Sequence, residues 1–317
     1  MASLEKVCKI ILRDCMAVKP SETALIVTDK GLVDIAMVLL TEANKFTKAK
    51  LIEIPVGKVH GDEPPEYAAK DMLKYDVEIL LTTKSLSHTT ARKNASEHGA
   101  RIASMPNVTR SILERAIDVD YAKINGITKR VNTSLQNAKL ISITTKIGTD
   151  ITLKPMEMSK KEDQGLYHQK GEWGNLPAGE VCFSPVEGSA NGIFVVDASM
   201  SGIGLVKHPI RITVEDGCAV KIEGKKEAKQ LNQLLASLKD KRAYNIAELG
   251  IGTNYKAKIT GHVIEDEKVM GTAHIALGNN ISFGGSVDAP CHLDGVFRKP
   301  TITADGKYIM RNGKFVI

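Results

Sequence analysis

Aromatic side chains are scarce in this chain: Phe, Trp and Tyr supply 4% of its 317 residues, and there is one tryptophan. A platform for stacking nucleic-acid bases needs aromatics interleaved with a basic stripe. The lysines are instead dispersed, at Lys45, Lys48 and Lys50, at Lys160 and Lys161, and at Lys221, Lys225 and Lys226. The formal net charge of +6 therefore reads as solvated faces, and no nucleic-acid partner is expected. No apolar run is long enough to span a bilayer, so no membrane partner is expected either. The N-terminal stretch MASLEKVCKIILRDCMAV carries Glu5, Arg13 and Asp14 in an amphipathic pattern and lacks a signal-peptide core and cleavage site, which reads as cytoplasmic. The five cysteines, Cys8, Cys15, Cys182, Cys218 and Cys291, form no C-x-x-C pair. An odd, scattered set excludes a disulfide framework and a zinc knuckle. Cys291 adjoins His292 and faces away from it in a strand; it reads as a buried thiol, with a ligand role left open. No G-x-G-x-x-G or Walker loop follows a predicted strand, so a nucleotide site is unsupported.

What the chain does have is enough apolar material, 43%, for two cores. Short apolar strands at 23–28, 48–56, 77–83 and 100–106 alternate with helical patterns at 3–18, 31–46, 66–74 and around 88–98. Such alternation implies βαβ units and a mainly parallel sheet. Ligands of such sheets gather at the strands' carboxyl ends, here Thr28-Asp29-Lys30-Gly31 and Thr82-Thr83-Lys84-Ser85. The polar stretch Ser85–Arg92 reads as a helix start capped by Ser87. A longer helical segment, 109–136, leads into different material. From about residue 138 the runs 139–148, 149–155, 181–185, 192–199, 208–217 and 219–224 are short strands punctuated by Gly and Pro. The EDG, ADGK and RNGK sequences signal hairpins, and 225–238 reads as a helix. The expected fold is an α/β N-terminal domain with a mainly parallel sheet, residues 1–136, followed by a β-rich α+β metal-site domain, residues 137–317.

The chemistry concentrates in His262–Asp294, which packs three of the eight histidines and five carboxylates into one segment. Residues i and i+2 of a strand share a face, so His292 and Asp294 aim an imidazole and a carboxylate at one point. With His274, from the apolar run AHIALG, they make a two-histidine, one-carboxylate set. That set suits a divalent ion with open coordination positions. An apolar-strand histidine is more often a satisfied core residue, and the company it keeps decides the matter. Glu180 closes the turn-rich segment 171–181. Glu248 lies between Ala247 and Leu249, where a carboxylate is costly to bury unless paired or metal-bound. Five residues, Glu180, Glu248, His274, His292 and Asp294, are thus the candidate ligands. Asp266, Glu267 and Lys268 form a charged cluster read either as a base or histidine anchor, or as a surface turn.

The segments NLPAGEV (175–181), AELGIGTN (247–254), EDEKVMGTAHIALGNN (265–280) and HLDGV (292–296) occur in an order and spacing that resembles the aminopeptidase T-like metallopeptidases. The resemblance covers the second half; the first agrees in its α/β character. It implies a two-ion site of zinc, cobalt or manganese held by Glu180, Glu248, His274, His292 and Asp294. It also implies hydrolytic removal of N-terminal residues from short peptides, with Glu180 and Glu248 in the catalytic apparatus, and a homodimer. The tyrosine those peptidases carry after the H-x-A-x-G run is replaced here by Asn279, Asn280 and Ile281. A branch of the same superfamily resembles a ring-opening dihydroxypyridine dioxygenase. There one iron(II) is held by the equivalents of His274, His292 and Asp294, a small-molecule alternative to the peptide substrate.

Overall fold

In a computed structural model that describes residues 2–156 and 161–317, four strands of the first half lie side by side in parallel. They are β1 (Thr23–Asp29), β2 (Lys48–Ile54), β3 (Val77–Leu81) and β4 (Arg101–Ser104), in the order β2-β1-β3-β4. Lys160 of the dispersed lysines lies outside the described residues. The chain divides into two compact units: residues 1–121 with 163–178, and residues 122–162 with 179–317. The expected boundary at 136 and the observed division near 121 differ by the helix Tyr121–Leu135.

The first unit is the α/β half that the alternation of patterns implies, and it and the helical segment after it differ from the expected elements in four places. Residues 171–181, read as turns, contribute β5 (Trp173–Asn175), which pairs in parallel with β4. Three residues are too few for period-2 patterning to register. The helix near residue 90 spans Thr90–Glu97 and is capped by Thr89, whose Oγ1 accepts from Arg92 N at 3.2 Å. Ser87 instead bonds to Ser104 Oγ at 2.7 Å. The N-terminal helix, Leu4–Ile10, passes into a π turn at Ile11–Cys15 rather than running to residue 18. The segment 109–136 is likewise two helices, Arg110–Ala116 and Tyr121–Leu135.

The direction change of this sheet lies between β1 and β3, the usual place for a ligand crevice. Here it is closed by Asp29. Its carboxylate accepts from Thr83 N at 2.6 Å, Thr83 Oγ1 at 2.8 Å and Gly31 N at 3.0 Å. The cavity beside it, about 30 Å³, has room for roughly one water. Asp29 thus stitches the carboxyl ends of the two strands to each other.

The second unit is built from antiparallel strands in two sheets. Three hairpins turn through Asp216-Gly217, Asp305-Gly306 and Asn312-Gly313, all with positive φ. A turn that needs φ > 0 at both central residues selects those pairs. The eight-stranded sheet includes Ile141–Thr144, Asp150–Leu153, Asn191–Val196 and Ile210–Glu215. The other sheet carries four neighbouring strands: β6 (Glu180–Phe183), β7 (Ile246–Gly252), β8 (Thr272–Gly278) and β9 (His292–Arg298), ordered β9-β8-β7-β6. One apolar cluster joins Ile143, Ile151, Phe194 and Ile212 of the first sheet to Phe183, Leu249, Ile275 and Phe297 of the second. No helix among the described residues is long and apolar enough to cross a membrane.

Glu78, in the middle of β3, is fully buried between Leu25 and Ile102, and neither carboxyl oxygen has a hydrogen-bond partner. Burial alone lifts its pKa well above the usual range. A raised folded-state pKa means the stability it contributes is complete below the unfolded value and is lost as pH climbs toward the folded one. Glu78→Leu is therefore expected to stabilise the protein by about 1–3 kcal/mol at pH 7. The gap over the parent should widen from pH 4.5 upward in urea denaturation. A gap independent of pH would refute the buried neutral acid.

Candidate metal centre

Period-2 alternation and register place the whole candidate set on one face of four strands. Gly250 pairs with His274, Gly252 with Glu180, Ala276 with both Glu248 and Asp294, and Gly278 with His292. Paired residues point the same way. One face therefore presents Glu180, Cys182, Glu248, His274, His292 and Asp294 among glycines and alanine. The opposite face presents Val181, Phe183, Leu249, Ile251, Ile275, Leu277 and Phe297, all buried in the apolar cluster.

The small residues are steric requirements. A Cβ on Gly250 would lie 2.0 Å from His274 Cε1 and 2.1 Å from its Nε2. The imidazole occupies the space that a side chain at 250 would take. Gly278, at φ +109°, passes so close to Cys291 that a Cβ would stand 2.2 Å from its carbonyl oxygen.

His292 is held from outside the centre. His292 Nδ1 lies 2.7 Å from Asn279 O, and a carbonyl only accepts, so this nitrogen carries hydrogen. That leaves Nε2 facing Glu248 Oε2 at 2.9 Å and Asp294 Oδ1 at 3.4 Å. Phe283 stacks on the ring, with centroids 5.8 Å apart. The loop supplying Asn279 is organised by Asn280, fully buried. Its Nδ2 donates to Glu187 Oε1 and its Oδ1 accepts from Val287 N. Asn279 and Asn280, in the region of the expected tyrosine, thus build the loop that orients His292, and Ile281 is half-exposed. His274 Nε2 lies 3.5 Å from Glu248 Oε1 and 3.7 Å from Glu180 Oε2.

Charge governs the protonation states. Burial would push Glu248 up, and the hydrogen bonds from His274 and His292 outweigh it, holding the carboxyl well below its usual range. For His274, burial disfavours the imidazolium, yet Glu248 and Glu180 raise it to about 9. His292 is raised in the same way by Asp294 and Glu248 against its burial. Burial lifts Glu267 to about 8, tempered by Lys268.

Three overlapping triples place one ligand atom each within 4.8 Å of the others: Glu248, His292 and Asp294; Glu267, His274 and Asp294; Glu180, Cys182 and Glu248. Asp294 belongs to both histidine triples and links the two rings. His274 Nδ1 and Asp294 Oδ1 are buried without a hydrogen bond. Orphaned buried polar atoms are rare because each carries its full desolvation cost. A divalent cation among these donors would satisfy them. The residues present fit such an ion, and a divalent metal site is what this face supports.

Three residues exceed the sequence reading. Glu267 and Lys268, taken as either functional or a surface turn, are both buried and inside the centre. Cys182, read only as one scattered cysteine, shares the face with Glu180. The EDEK charges on an otherwise apolar approach to His274 were the available signal. A turn has no period from which to infer which way they point.

The two-unit architecture is that of the aminopeptidase T-like fold. Within that fold, residues 3–317 match the family described as NicX: 2,5-dihydroxypyridine 5,6-dioxygenase, and the chain belongs to that family. A 2,5-dihydroxypyridine 5,6-dioxygenase of Pseudomonas putida is 24% identical over 251 residues, covering 75% of this chain and 71% of that protein. The solved 2,5-dihydroxypyridine dioxygenase of Pseudomonas putida KT2440 matches with a TM-score of 0.88 and 19% identity, covering 100% of this chain and 98% of that one. Wild-type AmpT from Thermus thermophilus matches with a TM-score of 0.73 and 15% identity over 99% of both chains.

These matches correct the expected activity. The aminopeptidase, metallopeptidase, protease and hydrolase readings do not stand: the family match spans nearly the whole chain and is a dioxygenase family, whereas the AmpT likeness carries the fold alone. The physical reason lies in what the resembling motifs do. In this chain NLPAGEV, AELGIGTN and HIALG carry Glu180, Glu248 and His274 together with Gly250 and Gly278, so they report a polar, metal-suited strand face and do not specify the reaction carried on it.

Gly250→Ala is expected to displace the His274 ring and weaken Mn²⁺ binding by about 10–100-fold, as loss of orienting contacts commonly does. Asn280→Ala should do the same through His292. Titration calorimetry on the chelated protein measures both, and unchanged affinity in both would remove the histidines from the centre.

Proposed function

We propose that this chain is a non-haem iron(II) ring-cleaving dioxygenase of a dihydroxylated pyridine, with His274, His292 and Asp294 as the ligands. The observation that carries the reading is the pair of orphaned buried atoms, His274 Nδ1 and Asp294 Oδ1. They stand beside a His292 whose Nε2 is left facing the centre by the Asn279 carbonyl. Two imidazoles and one carboxylate leave coordination positions open for a second reactant, the arrangement favoured by non-haem iron(II) oxygenases. Family membership and the 2,5-dihydroxypyridine 5,6-dioxygenase relative support the same choice.

When bound, iron(II) supplies the redox chemistry with dioxygen that no side chain here can supply. The chain's own residues orient and protect. Asn279 O fixes the His292 tautomer, and Phe283 covers one side of its ring. Gly250 leaves space for His274, and the apolar layer behind the sheet keeps the strands at fixed spacing. Ring cleavage between positions 5 and 6 breaks one carbon–carbon bond and places both atoms of dioxygen in the product, so no further reductant is needed.

The test is anaerobic loading with iron(II), then oxygen uptake with 2,5-dihydroxypyridine and mass analysis after ¹⁸O₂. Incorporation of both labelled atoms is expected. Asp294→Ala and His292→Ala should each lose activity by at least about 100-fold. A fully iron-loaded protein that consumes no oxygen with this substrate or its dihydroxylated analogues would overturn the assignment.

A further inference from the structure

We infer that Lys268 is a built-in cation that holds Glu180 and Glu267 and confines the centre to one divalent ion. Four carboxyls, Glu180, Glu248, Glu267 and Asp294, converge on this face. Paired ions about 3.5–4 Å apart bridged by a carboxylate are what such acid-rich sites commonly hold. Here one of the cationic places is taken by the protein. The Lys268 ammonium lies 2.5 Å from Glu180 Oε1 and 2.8 Å from Glu267 Oε1. Its side chain is 1% exposed, and it is the one lysine buried among the described residues.

The backbone is shaped to deliver it. Lys268 O accepts from Asn254 N at 2.8 Å, and Lys268 N donates to Glu265 O at 3.0 Å. Gly252, opposite Glu180 in register, lets this segment pass: a Cβ there would stand 2.2 Å from Val269 O and 2.8 Å from Lys268 C. The same strand thus uses Gly250 to admit an imidazole and Gly252 to admit the backbone that bears the ammonium.

The consequence is a division of labour. Glu180 and Glu267 are engaged by a fixed charge, and a second metal ion would have to enter against that ammonium at contact distance. Glu248, His274, His292 and Asp294 remain for the single ion. Lys268 is a positioning residue and never touches the reacting atoms. The inference deepens the one-ion reading above, and its readout is a count of ions, separate from turnover.

The experiment strips the full chain with a chelator and titrates it with Mn²⁺. Ions per chain are counted after gel filtration, and paramagnetic resonance reports exchange coupling between neighbouring Mn²⁺. The parent should hold one ion and Lys268→Arg one. Lys268→Met should take a second, with coupling between the two. Glu180→Gln should retain one ion with affinity within about threefold of the parent, whereas ligand loss is expected to weaken it by at least about tenfold. A parent holding two ions, a folded Lys268→Met that still holds one, or a Glu180→Gln as weak as His292→Ala overturns the inference. If Lys268→Met does not fold, the parent count and Glu180→Gln decide. Ion counts as expected with no oxygen uptake would overturn the reaction assignment and leave this inference standing.

Discussion

The His274 imidazole stands in the space above Gly250, and the centre depends on that vacancy. A strand buried on both faces is normally filled with branched apolar side chains. On β7 the alternate positions instead read Glu248, Gly250 and Gly252, and its neighbours add Ala276 and Gly278. Removing three or four side chains from one face forfeits packing, and the opposite face compensates with a continuous layer of Phe183, Leu249, Ile251, Ile275 and Phe297. The sheet is held by its back so that its front can be polar.

A polar front of this kind is electrostatically untenable without cations. Four carboxyls in one buried cluster repel one another and lose their hydration. The chain answers in two ways. Lys268 is covalently present and permanently positioned. The two imidazoles respond to the remaining acids, since His274 and His292 are both pushed toward the protonated form against the effect of their burial. Imidazolium is a weak substitute for a metal ion, because a ring can point only one nitrogen at the acids: His292 Nδ1 is committed to Asn279, and His274 Nδ1 is buried without a hydrogen bond. The arrangement is therefore one that a divalent ion improves, with protons leaving as it enters.

Much of this was legible in the sequence. The i, i+2 spacing of His292 and Asp294 put them on one face, and the structure agrees because β9 is a regular strand through that pair. Glu248 was legible as a charge in an apolar strand, and the Asp-Gly and Asn-Gly turns were legible because few residues tolerate positive φ. Glu267 and Lys268 were not, because orientation in a turn follows no period. Lys268 was one of many lysines until Gly252 was seen to make room for its backbone. Thr89 displaced Ser87 as the helix cap for a similar reason: both are capping residues two positions apart, and only the hydroxyl network with Ser104 separates them.

The reaction was the least legible property, and the structure shows why. The segments that resemble aminopeptidase T-like motifs carry sterically compelled glycines, Gly179, Gly250, Gly252, Gly278 and Gly295, beside the candidate ligands themselves. Sequence likeness concentrated at such positions measures the cost of building the face. In this chain the loop that presents the Asn279 carbonyl to His292 and the turn that carries Lys268 to Glu180 both lie within the resembling segment 265–280, so likeness there does not by itself tell one chemistry from another. Both act at the centre: one fixes the His292 tautomer, the other engages Glu180. The ammonium that Gly252 makes room for occupies one cationic place on that acid-rich face.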